Sequence, residues 1–158
     1  MKKGTINFLK GTIFIIAIAT LFLCLFWLPQ QAESAAQSAP EFASLKYPVL
    51  FGLYATVVPF FLALYQAYKL LDLIADRRAF SESSAAALGR IKSSAFAIML
   101  IYIAGMVMLG MMSALHPGIA LVGLVILFAA LTIAIFTAVL QTLLKDALKL
   151  KSEHDLTI

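Results

Sequence analysis

Few side chains in this sequence have the types and spacing that chemistry needs. They are two histidines, His116 and His154, one cysteine, Cys24, and two amides inside apolar runs, Gln66 and Gln141. A metal site or an activated nucleophile requires several His, Cys, Asp or Glu side chains converging on one point. Cys24 has no second cysteine, so neither an intrachain disulfide nor a thiolate metal site can form. His116 sits in the stretch Ser113-Ala114-Leu115-His116-Pro117-Gly118 and His154 near the carboxyl end. The organisation below puts them on opposite sides of a membrane, where they cannot share a site. No glycine-rich phosphate loop is present and no Ser-His-Asp set can be assembled. The expectation is a protein that is not an enzyme and has no cofactor and no metal ligands.

The elements that position these residues follow from charge placement. The chain has 158 residues, 63% of them hydrophobic and only 13% charged, about half the charged share of an average soluble domain. Residues 11–32, 47–68 and 93–144 contain no Asp, Glu, Lys or Arg. About 20 apolar residues cross the hydrocarbon core of a bilayer as a helix, the form that satisfies its own backbone in lipid. The third stretch is too long for one crossing, and His116-Pro117-Gly118 supplies a turn within it. Four antiparallel spans result, at about 11–28, 48–70, 93–114 and 119–143, in a single all-α integral membrane domain.

Lys2, Lys3, Lys10, Lys69, Arg77, Arg78, Arg90, Lys92, Lys145, Lys149 and Lys151 fall on one side of these spans, and Lys46 alone on the other. Basic loops stay in the cytoplasm, so both termini are expected on the cytoplasmic side of the membrane. Trp27 and Tyr47 then lie at the outer interface, and Tyr65 and Tyr68 at the inner one. A cleaved signal peptide is the competing reading of the first span, but its apolar run is longer than such signals usually have. The outer loop, 29–47, is rich in Ala, Gln and Ser and reads as a solvated connector. On the inner side Ser81 is placed to cap a helix with Glu82 in its first turn. Ala85, Leu88 and Ile91 recur behind it at helical spacing. Residues 71–92 are thus expected to form a short helical hairpin projecting from the membrane. Two readings stand for it: a docking surface for a cytoplasmic partner, or two long helices with basic residues on anionic lipid. The tail 145–158 continues the fourth helix with Lys145, Lys149 and Lys151 at its end; direct nucleic-acid binding is not expected of so short a mixed-charge segment.

No charged residue lies inside the stretches 11–32, 47–68 and 93–144 that cross the membrane (Lys69 stands at the end of the second span), which counts against a proton relay, a voltage sensor or an ion-coupled transporter. Gln66 and Gln141 are expected at similar depth, able to hydrogen-bond across the bundle. Pro59 cannot donate to the carbonyl of Ala55, so a bend or hinge is expected there, with Thr56 close enough to help satisfy the freed backbone. Gly89, Ser93, Ala97 and Gly105 share one helix face, as do Ala130, Ala134 and Ala138; such stripes allow close helix approach, within the chain or in a homo-oligomer.

Several segments resemble the bacterial domain-of-unknown-function 2975 family: Gln66-Ala67-Tyr68-Lys69-Leu70-Leu71, Ala79-Phe80-Ser81, Leu88-Gly89-Arg90-Ile91-Lys92 and the ending Leu150-Lys151-Ser152-Glu153-His154-Asp155-Leu156-Thr157-Ile158. The resemblance covers nearly the whole chain. It departs at His154, where the family more typically has Asn. It implies a bacterial cytoplasmic-membrane protein and, through members encoded beside a small helix-turn-helix regulator, a role in holding or modulating such a DNA-binding protein. It carries no catalytic residues. The leading expectation is a regulatory protein that contacts its partner through Arg77, Arg78, Phe80, Glu153, His154, Asp155 and Leu156. The alternatives are a small oligomeric transporter or channel around Pro59 and Gln66, and a membrane-stress or assembly factor.

Overall fold

The computed structural model describes residues 2–157, with side chains through Leu156, and is helical almost throughout. Helix α1 (Lys3–Phe22) passes through a π-helical turn (Leu23–Trp27) into α2 (Leu28–Ser38). A 3₁₀ segment (Pro40–Leu45) leads into α3 (Lys46–Ala75), followed by α4 (Glu82–Met111) and α5 (Pro117–Thr157). Four of the resulting helical stretches are long and apolar enough to cross a membrane. Most of their apolar side chains, Phe14, Leu62, Leu100 and Phe128 among them, are exposed within the chain, a surface that lipid can cover and water cannot.

The bundle is assembled in chain order. α3 packs on α1, α4 on α3, and α5 on α4. Residue pairs fix the antiparallel register: Lys10 pairs with Asp72, Phe14 stacks edge-on against Tyr68 at 5.6 Å, and Gln141 Nε2 donates to the Ala85 carbonyl at 3.0 Å. Small residues set the spacing of α4 and α5. A Cβ on Gly89 would stand 2.5 Å from Gln141 Nε2, and one on Gly123 2.5 Å from Met106 Sδ. Ala130 and Ala134 are buried in the same seam. Gly105, expected to share in this close packing, does not: a Cβ built there meets no atom within 4 Å. The reason is angular: at about 100° per residue the four-residue stripe drifts, and Gly105 has turned roughly 160° away from the side on which Gly89 meets Gln141.

The segment expected to be a solvated outer connector is instead mostly helix. Ala and Gln favour helix, and Glu33 is held by Gln37 Nε2 at 3.3 Å one turn on and by an ion pair with Lys46. Pro29 does not end the first span. It lacks the N–H that would bond back toward Leu25, and the π turn just before it opens the helix where that bond is missing. The Tyr54 hydroxyl, from α3, donates to the Cys24 carbonyl inside this turn at 2.6 Å. Tyr54→Phe should therefore cost about 1 kcal/mol, measured as a lower thermal midpoint in detergent, whereas an unchanged midpoint would mean the bond adds nothing to the fold.

Both tight turns are built alike. Arg77 and Ser113 have φ of 58° and 57°. At the first, Arg77 N–H bonds to Ile74 O at 3.1 Å and Arg78 N–H to Leu73 O at 2.7 Å; at the second, Ser113 N–H bonds to Gly110 O at 3.1 Å and Ala114 N–H to Leu109 O at 2.8 Å. These are Schellman stops with a left-handed residue just past the helix. His116-Pro117-Gly118 is not the turn itself but the start of α5. Pro117 is its first residue, and His116 Nδ1 accepts from the Gly118 N–H at 3.0 Å.

Candidate functional site

The amino end of α1, the α3–α4 turn and the carboxyl end of α5 lie at one end of the bundle, here termed the basic face. The turn on this face is rigidly made. Ser81 caps α4, accepting from the Ser84 N–H at 3.3 Å, as its sequence position predicts. The Ser81 and Ser84 hydroxyls both donate to the Arg78 carbonyl, at 2.7 and 3.2 Å. Ser84 is 2% exposed. With the Schellman stop on one side and this serine clamp on the other, the backbone of residues 76–81 has little freedom. Its side chains project: Arg77 and Arg78 are exposed and, among the described residues, neither takes part in an ion pair.

Two grooves flank the α4–α5 contact on this face. The first, of about 260 Å³, is apolar and lined by Ala79, Phe80, Leu88, Leu140, Leu143 and Leu144. Phe80 forms its rim at 71% exposure, an uncovered aromatic beside two uncompensated cations. The second, of about 580 Å³, lies between the first turns of α4 and the end of α5, with Glu82, Gln141, Lys145, Lys149, Ser152 and Glu153 on its walls. Successive α5 positions turn by about 100°, which puts residues 140 and 143 on one side of the helix contact and 145 and 152 on the other.

The expected contact residues are therefore divided. Phe80 lines the apolar groove and Glu153 the polar one. Arg77 and Arg78 stand on the turn outside both. His154, Asp155 and Leu156 are exposed on the last described turns of α5; Ile158 lies outside the described residues. The α5 leucines opposite Phe80, Leu140, Leu143 and Leu144, were not singled out from the sequence. Their spacing with Phe80 carries no local pattern and depends on the α4–α5 register.

The polar residues inside the spans also sort out. Gln141 does not meet Gln66. Its Oε1 accepts from Lys92 Nζ at 3.2 Å and its Nε2 serves Ala85 O, both on α4, which is the helix α5 packs against. Gln66 is 7% exposed and its Oε1 has no hydrogen-bond partner. Pro59 is buried within an unbroken α3, and Thr56 donates to Leu53 O at 2.6 Å rather than to the Ala55 carbonyl that Pro59 leaves free. Among the described residues no group of His, Cys, Asp and Glu could hold a metal ion.

A family model described as a protein of unknown function, DUF2975, matches residues 30–158. The chain is 46% identical over 160 aligned positions to the uncharacterized membrane protein YoaS of Bacillus subtilis (strain 168), an alignment that covers the whole of both chains. No solved structure matches.

Proposed function

We propose that this chain, which belongs to the DUF2975 family of membrane proteins, is a non-enzymatic regulatory protein of the bacterial cytoplasmic membrane that docks a small helix-turn-helix regulator on its basic face. Both termini then lie in the cytoplasm, the side that basic segments prefer. The observation that carries the reading is Phe80, held 71% exposed at the rim of an apolar groove by a clamped turn that also presents Arg77 and Arg78. An exposed aromatic anchor beside a pocket, ringed by charge, is the usual make-up of a binding hot spot. The regulator would seat an apolar side chain against Phe80 and present carboxylates to the two arginines. A photo-crosslinking residue at position 80 in living cells should then label a small DNA-binding protein. Labelling of lipid alone, or of nothing, would contradict the reading.

A second reading, a small oligomeric transporter, is favoured by the unpartnered Gln66 Oε1 in the bundle. The two readings separate at Gln66→Leu. Under the docking reading the substitution removes an unmet polar atom and leaves the protein as stable or about 1 kcal/mol more so, with docking unchanged. Under the transport reading it abolishes flux into proteoliposomes.

A further inference from the structure

The polar groove on the basic face has an order to its charges. Gln141 forms its inner end and is fixed by Ala85 and Lys92. Lys145 follows, the first charge after the apolar stretch 93–144. Lys149 stands about 6 Å farther along the helix axis and Glu153 about 12 Å farther. The contacts of Gln141 with Gly89 and of Gly123 with Met106 set a register that brings Glu82, on α4, level with Leu148 across the groove. Among the described residues neither Lys145, Lys149 nor Glu82 takes part in an ion pair. The wall thus reads amide and cation at the hydrocarbon edge, then cation facing carboxylate, then the Ser152 hydroxyl and a second carboxylate outermost.

That order is the complement of a phosphodiester next to the acyl chains with a primary ammonium beyond it. The geometry points to a binding site for the headgroup of an aminophospholipid, its phosphate between Lys145 and Lys149 and its ammonium between Glu82 and Glu153. Both lysine contacts are charge-assisted, as are the N–H donations from the ammonium to the carboxylates. A glycerol headgroup would draw the two lysines but offer the carboxylates no cation. A quaternary choline has no N–H to donate. The site is independent of the docking proposal, because Phe80 and its leucines lie on the other flank of the α4–α5 contact.

The test uses the full-length protein in detergent, with native mass spectrometry and thermal melts in the presence of dilauroyl phosphatidylethanolamine, phosphatidylglycerol or phosphatidylcholine. Phosphatidylethanolamine should bind about fivefold to tenfold more tightly than the other two. Glu82→Gln with Glu153→Gln should erase that preference. Glu153→Gln alone should reduce it, and the lipid-free melting midpoint of every variant is measured alongside, so that a folding defect is not read as lost binding. Lys145→Gln with Lys149→Gln should weaken all three lipids by about tenfold or more. Equal binding of the three lipids, a preference for phosphatidylglycerol, or a preference that survives loss of both carboxylates would overturn the assignment. Soluble glycerophosphoethanolamine serves as a competitor. Competition at the same concentration as the lipid would show that the headgroup source is soluble and would overturn the lipid assignment.

Discussion

Reversing both turn charges, Arg77→Glu with Arg78→Glu, is expected to weaken docking of the regulator by about a hundredfold while the helices remain folded. The backbone bonds of the turn come from main-chain groups and from Ser81 and Ser84, so the charges can change without removing what holds it. The companion variant Arg77→Gly separates fold from function more sharply. Arg77 occupies a left-handed conformation, φ 58°, that costs a side chain with a Cβ about 1 kcal/mol and costs glycine little. Arg77→Gly should raise stability by about that amount and lower regulator affinity by about tenfold. Ser113→Gly, at the matching stop on the opposite face, should give the same gain in stability and leave affinity unchanged. A helix stop that keeps an arginine where glycine is easier is where a binding role would outweigh local preference. Parallel melting curves and binding isotherms of the three variants decide the point; an Arg77→Gly protein that binds normally would remove Arg77 from the interface.

Gly89→Val is expected to be the most damaging single change to the fold, at about 2–3 kcal/mol. The new Cβ would lie 2.5 Å from Gln141 Nε2, so the amide must leave and with it the bonds to Ala85 O and Lys92 Nζ. Gly89→Ala would regain about 1 kcal/mol in helix propensity, which makes valine the cleaner test. Adding Gln141→Ala to Gly89→Val should return more than half of the lost stability, because the obstructing side chain is then gone. No recovery in the double variant would place the damage in the α4 backbone rather than at Gln141.

Span number and the Ser81 cap were legible in the sequence because each depends on local rules: charge-free length, and a serine before a helical repeat. The helical continuation from Leu28 to Ser38 was not, because Pro29 is a local stop signal that the π turn and the Tyr54 bond to Cys24 override from another helix. The stop of α4 was placed within a few residues, but credited to Pro117-Gly118 when the left-handed Ser113 makes it. Gln141 does bond across the bundle, but its partners Ala85 and Lys92 could not be named from depth alone, because they depend on α5 packing against α4. At the candidate site, Phe80, Arg77 and Arg78 stood out from a short loop, whereas the leucines that complete the groove with Phe80 become visible only once α5 is laid against α4.

The role proposed for the basic face is to hold a DNA-binding regulator. Its most direct measurement is affinity purification of the tagged full-length protein from native membranes, followed by quantitative mass spectrometry, run in parallel for the wild type, Phe80→Ala and Arg77→Glu with Arg78→Glu. A small helix-turn-helix protein should be recovered with the wild type and depleted at least tenfold with either variant. A wild type that returns only copies of itself and lipid, or a regulator recovered equally from all three, would contradict it.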